Sequence, residues 1–506
     1  MNLIEPILRH ATLQPDVIAI IDSDRSITYG ELAPLVLCTA SHLAAHGVEA
    51  GDRVGVCLKD NGQHLVALLA VSRMGAVVVP IDWRARPAEQ ERVASALGVK
   101  LALVEPESRA GFHCPAVPLD AAWHRGVGTA APCAESSCEW DAPFHLTSTS
   151  GTTTGAPKFL LKTHLQLYFT IAILFDLLSL PRGCRLLSTR PLYFGSARQR
   201  IVGHLCRGDG VIVHPPLVTA EEYVALATRH NATVGSIGPP FLRQLLRLST
   251  AGGLLLPGMM ALCCGGSPLL AEEKLETAER ITPNFFENYS TAAAGVVAML
   301  RPEDIRRRPA SVGRPHPLVA VEVVGNDDRR LEPGAVGLLR CRSPALGTGV
   351  TGPGGWEAAG EGFRDGWYYP GEYAVIDEDG YVFANGRTVE TIMRGNAKIH
   401  PPEIETVLCQ HEAVAEAAVI GRPAGGDTEI VAFVIGRRPV GGGELLAHCR
   451  RHLTPYKVPQ RVIVLAEMPR NAAGKIAKSE LRRRLDIDAT ANGDEAVSGG
   501  DNRLVI

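Results

Sequence analysis

Short apolar runs alternate with segments of helical periodicity through the first half of this chain. No other feature constrains its fold as much. Leu32 to His46 carries apolar residues at helical spacing, "GDRVGVCL" reads as a strand, Leu65 to Met74 as a helix and "AVVVPID" as a buried strand. The alternation resumes after Thr163 with a helix through Leu180 and the strands "RLLST" and "GVIVHPP". Strands separated by helices point to an α/β core with parallel strands. The stretch from Glu105 to Pro143 is richer in Pro, Cys, Trp and small residues and reads as irregular surface.

The pattern changes further along. From Leu318 to Arg342, short strands with turn signals suggest a β-rich subdomain, and "EYAVIDEDGYVFANGR" reads as a hairpin with Asp379-Gly380 at its turn. After Arg387 come a helix opened by Pro401 and Pro402, the strands "AAVIGRP" and "EIVAFVIG", and a final helix near Lys478 to Leu485. These make a compact α+β unit of domain size. The tail from Asp486 is small, polar and acidic, the composition of a disordered segment. The expected organisation is a large N-terminal domain over 1–387, of α/β layers plus the β-rich subdomain, a small α+β C-terminal domain over 388–486, and a disordered tail over 487–506.

A chain of 506 residues calls for at least two folding units. Its 51 basic and 54 acidic residues leave a net charge of −3, which argues against general attraction to nucleic acid or membrane surfaces. The apolar stretch Leu65 to Val79 is interrupted by Ser72 and Arg73 and is too short to span a bilayer. The start, "MNLIEPILRHATLQPD", has no basic region followed by an apolar core, so no secretory signal is expected and a cytoplasmic location is. The twelve cysteines form no C-x-x-C pair and read as reduced thiols.

The stretch "TSTSGTTTGAPKFLLKTH", Thr147 to His164, has almost no apolar surface in its first twelve residues. Gly151 and Gly155 let the backbone turn and expose N–H groups. Thr152, Thr153 and Thr154 offer hydroxyls, and Lys158 offers a positive charge. Such a set can hold a triphosphate. It is not a Walker loop, because no G-K-[ST] follows the second glycine. A Thr-rich surface loop is the plainer reading of the stretch taken alone.

Other segments follow in a fixed order: "ITYGEL", "GAVVVPID", the Thr-rich loop, "CCGGSPL", "ENYSTAAAG", "GWYYPGEYAVIDEDGYVFANGR", "GNAKIHPPEIE" and "PRNAAGKIAKSEL". In that order and spacing they resemble the adenylate-forming superfamily of acyl- and aryl-CoA ligases, stand-alone adenylation domains and beetle luciferase. The resemblance runs from about Ile27 to Leu485. It implies an ATP-dependent acid–thiol ligase. Such an enzyme joins a carboxylate to the α-phosphate of ATP, releases pyrophosphate and passes the acyl group to CoA or to the pantetheine of an acyl or peptidyl carrier protein. Mg²⁺ accompanies ATP, and the small C-terminal domain is mobile.

Residue roles carry over position by position. Thr152, Thr153, Thr154 and Lys158 match the phosphate loop. Gly265, Gly266 and Ser267 match the segment beside adenine, and Asn288, Tyr289, Ser290 and Thr291 the aromatic-containing stretch, with Tyr289 on the adenine ring. The family's Thr and Glu of that stretch fall on Ala292 and Ala293, which leaves the metal ligand unassigned; whether Glu287 reaches inward stays open. Glu372 takes the place of an Asp that binds the ribose hydroxyls, and Arg387 matches the arginine facing ribose and phosphate. Val389 stands at the hinge, and Gly395 and Asn396 at the thiol tunnel. Lys475 matches the lysine that bridges carboxylate and α-phosphate.

In the acid pocket, Tyr193 and Phe194 take the place of the family's aromatic or His gate, and Gly195, Gly238 and Gly265 are expected to leave room for a flat aryl acid or a medium acyl chain. "RPLYFGSARQR" has no acid where amino-acid-activating members carry one, so uncharged aryl or acyl carboxylates are expected over α-amino acids. Arg198 and Arg200 could meet a second anionic group, but a solvated helix start is the plainer reading. The missing Thr and Glu, Val389 and Glu372 leave a second hypothesis: a degenerate homologue that binds nucleotide or acyl-adenylate with little turnover.

Overall fold

The computed structural model describes the chain except residues 1, 23–24, 109–110, 134–137, 149–158, 215–217, 250–251, 348, 353–354, 358–361, 388–389, 391, 395–396, 425–426, 472–473 and 492–506. Contacts divide it into two compact units. The first comprises Met1–Val321 with Arg340–Tyr369, and the second Glu322–Leu339 with Pro370–Ile506.

The first unit holds two eight-stranded sheets. One runs in the order Gly295–Leu300, Phe285–Thr291, Ala261–Gly265, Val234–Ile237, Arg185–Ser188, Gly210–Val213, Ile18–Asp22, Arg25–Thr28. Its six inner strands are parallel and its two edge strands antiparallel. The other has five parallel strands, Pro143–Ser148, Val77–Pro80, Arg53–Cys57, Leu101–Val104 and Ala116–Pro118, followed beyond Pro143–Ser148 by three antiparallel ones. Strands such as Val77–Pro80, Leu101–Val104 and Gly210–Val213 are buried at every position. Helices therefore cover both faces, and the alternation of sides expected of a half-exposed strand is lost. Helix Gly62–Arg73 is buried at nearly every position, as its all-round apolar surface requires. One core joins Ile20, Leu186 and Val211 to Val54, Val78 and Leu103 through Leu65, Leu68, Leu167 and Leu174.

One expectation fails here. The stretch read as irregular surface contains the strand Ala116–Pro118 and the helix Ala121–Thr129. Asp120 caps that helix by accepting the N–H groups of Ala122 and Trp123 at 2.8 and 3.0 Å, and Trp123 and Val127 are buried. A cap and two apolar anchors suffice in a segment otherwise rich in breakers.

In the second unit, Glu372–Ile376 and Val382–Arg387 form the expected hairpin, and Gly337 and Leu338 pair with its first strand. Helix Pro401–Cys409 packs on the strand Val382–Arg387, so contacts group residues 370–387 with this unit, whereas the sequence reading placed its edge at 387. A three-stranded sheet of Val414–Ala424, Asp427–Gly436 and Arg461–Leu465 shows a clean period of two. Val419, Ile430, Ala432 and Val434 meet Leu408 and Leu445 on one face. Ala418, Ile420, Val431 and Phe433 meet Leu481 and Leu485 on the other. The last helix runs Lys478–Ala491, past the expected start of the tail. Buried Leu481 and Leu485 anchor it, and propagation adds one hydrogen bond per residue once a helix is nucleated. Residues 492–506 lie outside the described residues.

Candidate active site

Parallel strands place their carboxyl ends along one edge of a sheet, and loops leaving that edge are where α/β folds bind ligands. In the first unit the strands ending at Ser188, Ile237, Gly265 and Thr291 are neighbours, so the segments Thr189–Gly195, Gly238, Gly265–Ser267 and Asn288–Thr291 converge. Gly265 lies opposite Asn288, and a Cβ there would sit 2.3 Å from the Asn288 carbonyl oxygen. No larger residue fits. Gly266 follows at φ +103°, a conformation that side chains rarely adopt. The Asn288 Oδ1 accepts from Arg200 at 3.0 Å, and its Nδ2 donates to Ser290 Oγ at 3.2 Å. Tyr289 is half-buried against Ala294, Val297 and Cys341. The strand shifts register between Tyr289 and Ser290, and Thr291 Oγ1 accepts the Ala294 N–H at 3.0 Å, closing the turn into the next strand. The structure thus brings together Gly265, Gly266, Ser267, Asn288, Tyr289, Ser290 and Thr291.

The loop that the sequence reading assigns to the acid pocket lies at the next strand ends. The Tyr193 and Phe194 rings stack with centroids 4.1 Å apart, and the Arg84 guanidinium lies 5.4 Å from the Tyr193 ring centroid. Buried Asp60 accepts the Leu192 N–H and pins the loop; burial raises its carboxyl above the usual range. Two of the three glycines expected to leave room do not. A Cβ at Gly195 would lie 2.6 Å from the Thr147 side chain, and the space beside Gly265 is filled by Asn288. At Gly238 the nearest atom would be Arg190 Nη2 at 3.7 Å, ordinary contact, so only Gly238 opens space.

The arginines also depart from expectation. Arg198 is fully buried, donating to the carbonyls of Leu192, Tyr193 and Leu146 at 2.8, 2.6 and 2.9 Å. Arg200 is nearly buried on Asn288. Neither is a solvated helix start, because helix Gly195–Arg207 packs this face inward.

In the second unit, Glu372 and Arg387 stand opposite each other across the hairpin. Lys475 is half-buried at a tight turn. Its N–H donates to Asn471 Oδ1 at 3.0 Å, its carbonyl accepts the Asn471 N–H at 2.8 Å, and Arg470 bridges to Ile476. Arg470 in turn pairs with Glu416 at 2.5 Å. A short loop is thereby closed at its base, with Lys475 opposite Asn471. Glu390 pairs with Lys478 at 2.7 Å, and Lys478 also reaches Glu405 at 2.7 Å.

Comparison with known proteins decides the family. A model described as AMP-binding enzyme matches residues 7–350, and one described as AMP-binding enzyme C-terminal domain matches residues 403–475. The chain belongs to the AMP-binding enzymes. It is a member of the adenylate-forming superfamily and an AMP-forming ligase. It is 28% identical to an indoleacetate–CoA ligase of Aromatoleum aromaticum, over 96% of this chain and 98% of that protein. It is 30% identical to a feruloyl-CoA synthase of an Amycolatopsis species, over 94% and 98%. The structure resembles o-succinylbenzoate CoA synthetase of Bacillus subtilis in complex with its acyl-adenylate intermediate, at TM-score 0.85 and 25% identity over 98% of this chain and 99% of that one.

In this AMP-binding enzyme, Thr152, Thr153, Thr154, Lys158, Val389, Gly395 and Asn396 lie outside the described residues, and of Arg387 only the backbone is described. Glu287 does not stand in for the family glutamate: it is buried in an ion pair with Lys274 at 2.6 Å, and Lys274 also donates to the Ser311 carbonyl at 2.9 Å. Ala293 is buried and offers no side-chain ligand. Among the described residues no group of three or more His, Cys, Asp and Glu could hold a metal ion, and no helix is long and apolar enough to cross a membrane. Arg190 was missed from sequence. It donates to the Ile237 carbonyl at 3.3 Å and to the Gly265 carbonyl, spanning three strand ends. The available signal was a basic residue just past the apolar strand "RLLS".

Proposed function

We propose that this enzyme activates an aryl or acyl carboxylic acid as its acyl-adenylate and transfers the acyl group to the thiol of CoA or of a carrier-protein pantetheine. The observation that carries this reading is the convergence of Gly265–Ser267, Asn288–Thr291, Thr189–Gly195 and Gly238 at adjacent carboxyl ends of one parallel sheet. It gives a nucleotide and an acid neighbouring seats. A carboxylate oxygen attacks the α-phosphorus, the bond to the β-phosphate oxygen breaks, and pyrophosphate leaves. A thiolate then attacks the acyl carbonyl and AMP leaves.

Charge control is the main demand of such phosphoryl chemistry. Lys475 neutralises charge developing between carboxylate and α-phosphate. Thr152, Thr153, Thr154 and Lys158 hold the outer phosphates, and Glu372 and Arg387 the ribose side. Mg²⁺ would come with ATP and would neutralise phosphate charge, with Thr152 and Thr153 the residues that would help hold it; Glu287 is engaged by Lys274. The 395–399 segment serves the thiol step, within a functional C-terminal domain of 388–486. Two relatives are named for aryl acids, which supports an aryl substrate.

ATP–pyrophosphate exchange across a panel of acids is the test. Exchange should be strongest with an aryl or acyl carboxylate. Strongest exchange with a proteinogenic amino acid would overturn the pocket reading. No exchange with any acid would favour a nucleotide-binding homologue with little turnover.

A further inference from the structure

Two guanidinium groups lie at the strand ends beside the loop 189–195: Arg190 is half-buried and Arg200 nearly buried. Arg190 leaves the strand Arg185–Ser188 and reaches Ile237 and Gly265; a Cβ at Gly266 would lie 3.1 Å from its Nη2, and one at Gly238 3.7 Å. Gly238 is the one glycine of the pocket that leaves space, and Arg190 borders that space. Arg200, on the helix that begins at Gly195, donates to the Asn288 amide oxygen, a neutral acceptor. The same helix starts without a side-chain cap, so its N-terminal dipole adds field of the same sign.

Neither arginine has an acid among the described residues. The buried acids Glu287 and Asp209 are taken by Lys274 and by His204 and Arg207, the partly buried Glu273 is taken by Arg243, and buried Asp60 accepts the Leu192 N–H. Burial pulls the Arg190 guanidinium below its ordinary range, and Arg200 pushes it the same way. Two partly desolvated cations whose hydrogen-bond partners are the neutral oxygens of Ile237, Gly265 and Asn288 are costly unless an anion completes them. Arginine is suited to that task by its planar fork, which grips a carboxylate with two parallel bonds.

We propose that Arg190 and Arg200 form a cationic wall of the acid pocket, and that the acid activated here carries a second carboxylate, held by that wall while the first is adenylated. This rests on the ligase reading above and replaces the sequence expectation of an otherwise uncharged acid.

The test uses the full-length enzyme and matched acids that share a skeleton, such as benzoate with isophthalate and terephthalate, and butyrate with glutarate. Pyrophosphate exchange with the better diacids should exceed that of the mono-acid by about tenfold or more in kcat/KM, the scale of a charge-assisted contact. Arg200→Met and Arg190→Met should lower exchange with diacids far more than with mono-acids, mainly through KM for the acid, and Arg190→Lys should keep part of the preference. Thermal unfolding checks that each variant folds. If Arg190→Met does not, because the tie between strand ends is lost, Arg200→Met and Arg190→Lys decide alone. Three results would overturn the proposal: mono-acids matching or beating diacids in every pair, variants that slow both classes equally, or variants that raise KM for ATP instead. Absence of exchange with any acid would sink the ligase reading itself, and this inference with it.

Discussion

The strand-end pocket and the Lys475 turn hold their functional groups by different means. In the first unit, Arg198, Asp60 and Asn288 are fixed from within: each is tied to the main chain or to a neighbouring side chain across the core. In the second, Lys475 stands on a turn kept in shape by Asn471 and by the Arg470–Glu416 pair at its base. A pocket built from the core resists change and couples chemistry to folding. A group on a locally organised turn can be altered with little effect on stability. In the reaction proposed above, the first would seat nucleotide and acid, and the second would supply a charge.

That contrast can be broken by experiment. The largest effect should come from Lys475→Ala. Losing one oriented electrostatic group costs about a hundredfold or more in rate, so adenylation should fall by that order while the unfolding temperature stays near wild type. Thioester formation from pre-made acyl-adenylate should survive. Equal loss of both half-reactions, or a marked loss of stability, would erase the distinction between turn and pocket. Asn471→Ala should have the same signature with a smaller size. It removes the acceptor for the Lys475 N–H at 3.0 Å and loosens the turn without touching the charge. Adenylation should drop by about tenfold, the order expected when positioning is degraded. An unchanged rate would mean that the turn holds its shape by main-chain bonds alone.

The last effect belongs to the first unit and is read as stability, not rate. Lys162 is fully buried, donating to Thr170 Oγ1 at 3.1 Å and the Ala345 carbonyl at 2.9 Å, and burial pulls its amine from 10.5 down to about 7. Between those values the unfolded chain binds the extra proton, so stability rises with pH across that window; the penalty is full below about 7. Lys162→Met removes the penalty but also two hydrogen bonds. Its stability relative to wild type should therefore be highest near neutral pH and below, and fall by up to a few kcal/mol as pH approaches 10. A difference independent of pH would show that Lys162 keeps the same charge in both states.

Much of the architecture was legible because it follows from local rules. Alternating apolar runs marked the parallel strands, prolines opened the helix Pro401–Cys409, and Asp379-Gly380 marked the hairpin turn. The ordered motifs identified the family and located Gly265–Ser267 and Asn288–Thr291, which lie on adjacent strands. The helix Ala121–Thr129 escaped notice because its cap and anchors are few among many breakers. What only the tertiary structure decided is where each polar group spends its hydrogen bonds. Composition makes Arg198 and Arg200 look exposed, yet packing buries both. The glycines at 195 and 265 look like open space, yet Thr147 and Asn288 fill it. Glu287 sits close enough in sequence to serve the metal, yet Lys274 claims it. Arg190 drew no reading from the sequence, yet it spans three strand ends beside Gly238. Periodicity and motif order are properties of neighbours along the chain. Burial and pairing are set by residues dozens to hundreds of positions apart, and the physical chemistry of a side chain is fixed by those partners.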